Sequence, residues 1–261
     1  MSLTVPLSLE SLMRESAIDA ELGALASLLA EARVPIIVAG EADAATRARV
    51  LAAFLEALPT ETRRIELSGP TEDFAWLPEA ESLGWRSDGP TPGRPPIEPA
   101  TPEATMVLAG DLIPDELATT WAGVVRIAVR AVSVGYGLAA TIRAASLEEV
   151  LTRLRAAPLR LTEDELSRLG LVIVLGDRPD EAGAPPRVVA AHYLRPVARD
   201  MHGHVQKLGP AVLATWDTRA GQFEHFGWGV TPELAIRTCR HAGDFEIELE
   251  RRREALERSA A

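Results

Sequence analysis

The segment VPIIVAGEADAATRARVLAAFLEALP (34–59) joins an apolar run to an Ala- and Leu-rich stretch through a turn at Gly40. A strand, a tight turn and a helix N-terminus in that order can hold an anion, because the first helical N–H groups have no partner of their own and point at one spot. A working phosphate loop reads G-x-x-x-x-G-K-[ST]. Its glycines let the backbone wrap the phosphates, its lysine neutralises the β and γ charge, and its hydroxyl holds Mg²⁺. Counted from Gly40, Ala45 stands in the second glycine's place, Thr46 in the lysine's and Arg47 in the hydroxyl's. Counted back from the helix, Arg47 takes the lysine's place and Ala48 the hydroxyl's. Neither register is intact, and Glu41 and Asp43 add negative charge where a triphosphate would lie. Lys207 is the only lysine in the chain, so a mechanism that needs one must use it or do without.

Other residues carry two readings each. Asp111, closing TMVLAGD (105–111), could hold Mg²⁺ or orient water, or it could cap a helix beginning near Pro114. The cap is favoured, since a metal without a phosphate cradle has little to hold. Arg143 could sense phosphate, but a surface ion pair is the simpler expectation. Arg47 and Arg49 could replace the missing lysine, yet a guanidinium fork does not fit a lysine's slot without rebuilding the loop. A solvated helix face is expected for both. His202, His204 and His225 could make a zinc site if a hairpin joined them, but no carboxylate pattern supports it, and no metal is expected. Trp216, Phe223, Phe226 and Trp228 are expected to cover a sheet, with a partner-binding aromatic patch as the second reading. No G-x-S-x-G elbow is present. Cys239, the single cysteine, excludes an intrachain disulfide and a Cys-rich zinc site. It is placed in a helix with His241, two positions away and therefore not on its face.

The elements that would position these residues follow from periodicity. Residues 8–32 read as one helix, with Leu22, Leu25, Leu28 and Leu29 at three- and four-residue spacing. Residues 34–40 read as a buried strand, 41–58 as a helix and 63–69 as a strand, which together make a βαβ unit. Six prolines within residues 88–102 forbid helix or central strand there and predict a stiff exposed loop. Then come a strand over 105–111, a short helix over 113–123, strands over 124–133 and 137–143, and a helix over 146–157. That last helix has Ser146 at its N-cap and Glu149 three residues on, a capping-box pattern. A helix over 161–170 leads into the apolar strand 171–177. Residues 187–197, 204–217 and 221–229 read as an antiparallel meander, and 231–260 as a closing helix with Thr231 as N-cap. The expected divisions are an α/β core (1–180), an antiparallel β segment (181–230) and a C-terminal helix (231–261) within a single domain.

In that order the segments resemble the motor ATPases of bacterial secretion and pilus assembly (type II and type IV secretion, the VirB11/GspE/PilT type), nearest the tight-adherence pilus branch. GLAATIRAASLEEVLTRL (137–154) is similar to the family's GSLATIHANSPEEALERL, with Arg143 at the family's histidine. MVLAGD ends in Gly110 and Asp111, where the family's Walker B strand ends in Gly-Glu. RIELSG has Ser68 and Gly69 where the family has an acidic box. The resemblance spans roughly residues 6–260, without the separate domain that full-length members carry ahead of the motor core. It implies a RecA-like P-loop NTPase core with a mostly parallel sheet, a small antiparallel β addition and a C-terminal helix. It also makes strands 34–39 and 105–109 neighbours in one sheet. Gly40, Thr46 and Arg47 become a degenerate phosphate loop, Arg143 a further phosphate contact, and Asp111 a vestigial Walker B acid.

The function this implies is that of a pseudo-ATPase, a structural or regulatory paralogue that hydrolyses ATP poorly or not at all. ATP with Mg²⁺ is the cofactor of the family, but tight binding is not expected here. The alternatives are an active ATPase with an Arg-substituted loop, and a non-enzymatic module with a partner or metal surface on the C-terminal hairpins. Implied partners are secretion or pilus machinery subunits, an active paralogue, or further copies of the chain. A net charge of −11 over 261 residues argues against nucleic acid, whose binding is driven by Lys and Arg contacts. No apolar run approaches a membrane span, and the start MSLTVPLSLE shows no basic segment ahead of an apolar one. No signal peptide or membrane insertion is expected, and the location expected is cytoplasmic.

Overall fold

The computed structural model describes residues 8–86, 97–114, 119–178, 186–199, 205–206 and 208–260. Its helices are α1 (Leu9–Arg14), α2 (Ala20–Glu31), α3 (Ala44–Phe54), α4 (Thr119–Ala131), α5 (Leu147–Arg155), α6 (Glu163–Ser167), α7 (Thr231–Arg237) and α8 (Ala242–Ala260). Its strands are β1 (Ile36–Gly40), β2 (Arg63–Glu66), β3 (Thr105–Asp111), β4 (Gly137–Ile142), β5 (Leu171–Gly176), β6 (Arg187–Tyr193), β7 (Ala198–Arg199), β8 (Val205–Gln206), β9 (Ala211–Asp217) and β10 (Gln222–His225).

Eight strands form one mixed sheet in the order β10-β9-β6-β5-β1-β4-β3-β2. The five from β5 to β2 run parallel. β6, β9 and β10 continue the same sheet antiparallel, and β7 pairs with β8 separately. The near-continuous apolar runs of β1, β4 and β5 have a simple cause: helices cover both faces, so successive side chains of both directions are buried. Ile36 and Val38 enter a core with Leu22, Leu29, Val50, Phe54 and Phe245. Ile37 and Ala39 enter the opposite core with Val125, Val150, Leu154 and Leu166. Each large apolar side chain buried this way contributes roughly 1.5–3 kcal/mol.

Several expected elements differ. Strands 34–39 and 105–109 share the sheet but are not neighbours, because β4 lies between them. Residues 124–133, expected as strand, belong to α4 and the turn after it, and α4 also takes in the end of the helix expected over 113–123, of which 115–118 lie outside the described residues. Val124, Val125, Ile127 and Val129 favour a strand by type, but Arg126 and Arg130 are four apart, and the apolar residues between them bury as one helical face. The helix expected over 8–32 breaks between Arg14 and Ala20. Ser16 there adopts φ 53°, and the Asp19 carboxylate accepts from the Leu22 N–H at 2.9 Å to start α2 afresh. The closing helix is likewise two helices, divided where Cys239 sits at φ 55° rather than in a helix. Its N-cap is Val230, with Thr231 already helical. Ser146 caps α5 as expected, but Glu149 bonds the N–H of Ala145 and not that of Ser146. Of the stretch expected as strand over 204–217, 205–206 and 211–217 are strand. Most of the proline-rich loop, and His202, His204 and Lys207, lie outside the described residues.

Candidate functional site

Parallel α/β sheets bind ligands beyond the carboxyl ends of their strands, where the chain order reverses. Here that point is β1, which has β4 on one side and β5 on the other. A cleft of about 480 Å³ opens there, lined by Glu41, Asp43, Arg47, Asp111 and Arg143 among others. Four of the five residues singled out from the sequence (Gly40, Arg47, Asp111 and Arg143) thus meet at the ends of β1, β3 and β4, and Thr46 sits one turn into α3.

Only residues 41–43 separate β1 from α3. A loop of the G-x-x-x-x-G-K type wraps the phosphates with a glycine-rich stretch ahead of its helix, and here Ala44, Ala45 and Thr46 are already helical, leaving a three-residue turn without a second glycine. The helix N-terminus has an internal anion. Asp43 is the N-cap, its Oδ1 accepting from the Thr46 N–H at 2.9 Å and its Oδ2 from the Thr46 hydroxyl at 2.8 Å. The Thr46 N–H first, and then its hydroxyl, hold the Asp43 carboxyl below its ordinary value. One of the N–H groups that would face a phosphate, that of Thr46, is therefore engaged by the protein's own carboxylate, which also places a negative charge at the helix start.

Gly40 also has a packing role. A Cβ on it would lie 2.9 Å from the Cβ of Leu175, its partner residue on β5, and 3.3 Å from the Leu175 carbonyl oxygen. Close strand contact, with no phosphate needed, accounts for the glycine.

Arg47 is 2% exposed, which corrects the expectation of a solvated face. Its Nη1 donates to the carbonyls of Gly40, at 3.2 Å, and of Ala42, while its Nη2 pairs with Asp111 Oδ2. Nε is buried and has no hydrogen-bond partner. The local signal for this burial is that Arg47 precedes Val50, Leu51 and Phe54 by three, four and seven positions and so lies on their stripe of α3. Arg49, two positions on, is exposed.

Asp111 reaches Arg47 although β1 and β3 are two strand spacings apart, roughly 10 Å. A bulge between Leu108 and Gly110 and the positive φ of Gly110, 63°, turn the end of β3 and re-aim Asp111. The Ile113 N–H donates to Asp111 Oδ1 at 3.0 Å, a bond two residues along the chain, while the other oxygen holds Arg47; the start of the helix expected near Pro114 lies outside the described residues. Trp121 Nε1 donates to the Asp111 carbonyl at 3.2 Å, which pins the backbone as well. Arg143, following β4, pairs with Glu41 at 3.0 Å, both side chains about half exposed.

Mg-ATP does not fit these groups. Asp43 takes the Thr46 N–H and sets its own charge at the α3 N-terminus, the guanidinium in the lysine's place is spent on two carbonyls and Asp111, and Asp111 is spent on Arg47 and Ile113. The cleft is lined by three carboxylates and two arginines, so its formal balance is negative. What the arrangement does chemically is tie the ends of β1 and β3 to α3.

Elsewhere, no group of three His, Cys, Asp or Glu among the described residues is placed to hold a metal ion. His225 Nε2 lies 2.7 Å from Asp19 Oδ2, and Nδ1 lies 3.6 Å from Glu21 Oε1. Among the described residues no helix is long and apolar enough to cross a membrane.

No protein-family profile and no curated protein matches the chain. Among solved structures it is similar to the VirB11 ATPase of the Brucella suis type IV secretion system, crystallised with sulphate, with 16% identity and a TM-score of 0.40. The alignment covers 64% of this chain and 50% of that one, so the chain spans half the length of the structure it matches. The likeness is coarse, that of one α/β fold to another, and assigns no residue a role.

Proposed function

We propose that this protein is a catalytically impaired relative of the secretion and pilus-assembly ATPases, acting as a structural or regulatory subunit and not as a motor. The observation that carries the reading is the self-occupied cleft: Asp43 holds the α3 N-terminus, and Arg47 is bound by Gly40, Ala42 and Asp111. By the sequence resemblance these groups correspond to the family's phosphate loop and Walker B acid, and the GLAATIRAASLEEVLTRL segment supports the kinship. A subunit that keeps the fold but closes its own nucleotide cleft holds one conformation regardless of nucleotide. That suits a scaffold or a fixed partner for an active paralogue.

Titration calorimetry with Mg-ATP tests the reading. No saturable heat is expected up to about 100 µM nucleotide, a concentration at which a site with a micromolar Kd would be nearly filled. Saturable binding below that concentration, abolished by Arg47→Ala, would show that the arginine leaves Asp111 to do a lysine's work, and the active-ATPase alternative would replace this one.

A further inference from the structure

At the amino ends of β1 and β4, the opposite edge of the sheet from the cleft, an open pocket of about 170 Å³ lies between the end of α2, the turn after α4 and the end of α7. Arg33 and Arg237 line it, with Val34, Pro35, Val132 and Tyr136 among the rest. The Arg33 N–H donates to the Ala30 carbonyl at 2.8 Å and the Val34 N–H to the Leu29 carbonyl at 2.9 Å, which closes α2 in a pattern whose left-handed residue is most often glycine. Here that residue is Arg33, at φ 53°. A side chain there is strained, and the helix dipole's preference for a cation offsets only part of the strain. The Arg33 Nε is buried with no hydrogen-bond partner, a rare state for a charged group. Arg237 donates from Nη2 to the Arg168 carbonyl at 2.9 Å, which orients the guanidinium without neutralising it. Burial first, and then the like charge of Arg168 against an opposing influence of Tyr193, holds the Arg237 pKa below the ordinary arginine value. Among the described residues no carboxylate pairs with Arg33 or Arg237. The acids nearest in sequence have other partners: Glu31 pairs with Arg240 and Arg252, and Glu233, one turn before Arg237, pairs with Arg195. Glu79 accepts from the Tyr136 hydroxyl at 3.3 Å.

We propose that Arg33 and Arg237 form a binding site for a phosphate-class oxyanion, either inorganic phosphate or the phosphoryl group of a small molecule. Two arginines present two positive charges, and a phosphate near neutral pH carries about −1.5 to −2. A carboxylate would balance only one of them. Guanidinium forks match phosphate oxygens in paired N–H···O bonds, and an anion held between the two would supply the countercharge that the fold withholds from both. The pocket is smaller than the roughly 300–1,000 Å³ of sites for larger organic ligands, which suits a group of a few atoms. Two arginines on a chain of net charge −11 are too few to hold a nucleic acid backbone. An anion bound here would join the ends of α2 and α7. The site shares no residue with the cleft and does not rest on the nucleotide reading.

The test is calorimetric titration of inorganic phosphate into the full chain at low ionic strength. Saturable binding is expected, with a Kd on the order of 1 mM or below. Arg33→Gly removes the guanidinium and relieves the left-handed strain, so without phosphate it should melt no lower than the parent, yet it should bind phosphate at least about tenfold more weakly. Phosphate should raise the Tm of the parent and not that of Arg33→Gly. Arg237→Gln should weaken binding comparably while leaving Arg33 in place. Glycerol phosphate titrated beside free phosphate separates the two sources: tighter binding of the ester assigns the site to a phosphorylated small molecule, and tighter binding of phosphate assigns it to the free ion. A heat from Mg-ATP that Arg33→Gly abolishes would belong to this pocket and not to the cleft, so the two readings fail separately. The idea is overturned if phosphate gives no saturable heat up to about 10 mM, if both variants bind it as tightly as the parent, or if acetate binds as tightly. It is equally overturned if Arg33→Gly melts well below the parent, which would show an arginine serving the fold alone.

Discussion

Removing the Asp111 carboxylate with Asp111→Ala strands the guanidinium of Arg47, whose side chain is 3% exposed, in the core beside β1. Taking one partner from a buried ion pair costs about 3–5 kcal/mol. Two features reduce that here: Asp111 is itself 16% exposed, and Arg47 keeps the carbonyls of Gly40 and Ala42 as acceptors. A loss of about 2–3 kcal/mol is therefore expected, or roughly 5–10 °C in Tm for a domain of this size. Arg47→Met should cost less, because the carboxylate it abandons can draw on solvent. Arg47→Met with Asp111→Asn removes both charges and keeps an acceptor for the Ile113 N–H, so it should return to within about 1 kcal/mol of the parent. Arg143→Ala, which breaks the half-exposed pair with Glu41, is the control and should cost less than about 0.5 kcal/mol. Urea unfolding followed by circular dichroism reads all four variants. If Asp111→Ala costs no more than Arg143→Ala, the Arg47–Asp111 pair is not the tie that closes the cleft and the self-occupied reading loses its physical basis.

Gly40→Ala should destabilise by about 1–3 kcal/mol through the 2.9 Å contact with Leu175 Cβ, and Leu175→Ala should not rescue it because that Cβ remains; thermal melts of the single and double variants decide this. Burial alone would lower the His225 pKa, but the Asp19 hydrogen bond and the charges of Asp19 and Glu21 outweigh it and leave it raised above 6.5. The stabilisation is then complete below about pH 6.5 and lost as pH rises through the folded-state value, so the urea midpoint should fall across that rise in the parent and lose this component in His225→Gln. Glu31→Ala frees Arg240 and Arg252 together and should loosen α8 from α2 at a cost of about 1–2 kcal/mol, visible as earlier proteolysis of the C-terminal helix.

What local sequence determined is the material of the sheet and the entry points of several helices. The runs that become β1, β4 and β5 are apolar except at Thr141, which suits a strand covered on both faces, and Ser146 announces α5 by its side-chain oxygen alone. Where local preference and packing disagreed, packing prevailed. The Val and Ile residues of α4 have strand character, but a helix buries them together and turns Arg126 and Arg130 toward the surface. Ser16 and Cys239 adopt positive φ without being glycine, so nothing in their type foretold the breaks in the first and last helices. At the cleft, the missing lysine and the tight turn were legible in the sequence, whereas Arg47 read as a solvated residue by type and only its spacing to Val50, Leu51 and Phe54 pointed to the burial it has. Its partner was not legible. Asp111 is 64 residues away, and it meets Arg47 only because β4 comes between β1 and β3, a bulge at Gly110 turns the carboxylate inward, and α3 lies across both strand ends. Strand order is a property of the whole sheet, set by which crossovers bury the most apolar surface, and no window of residues around Gly40 contains it.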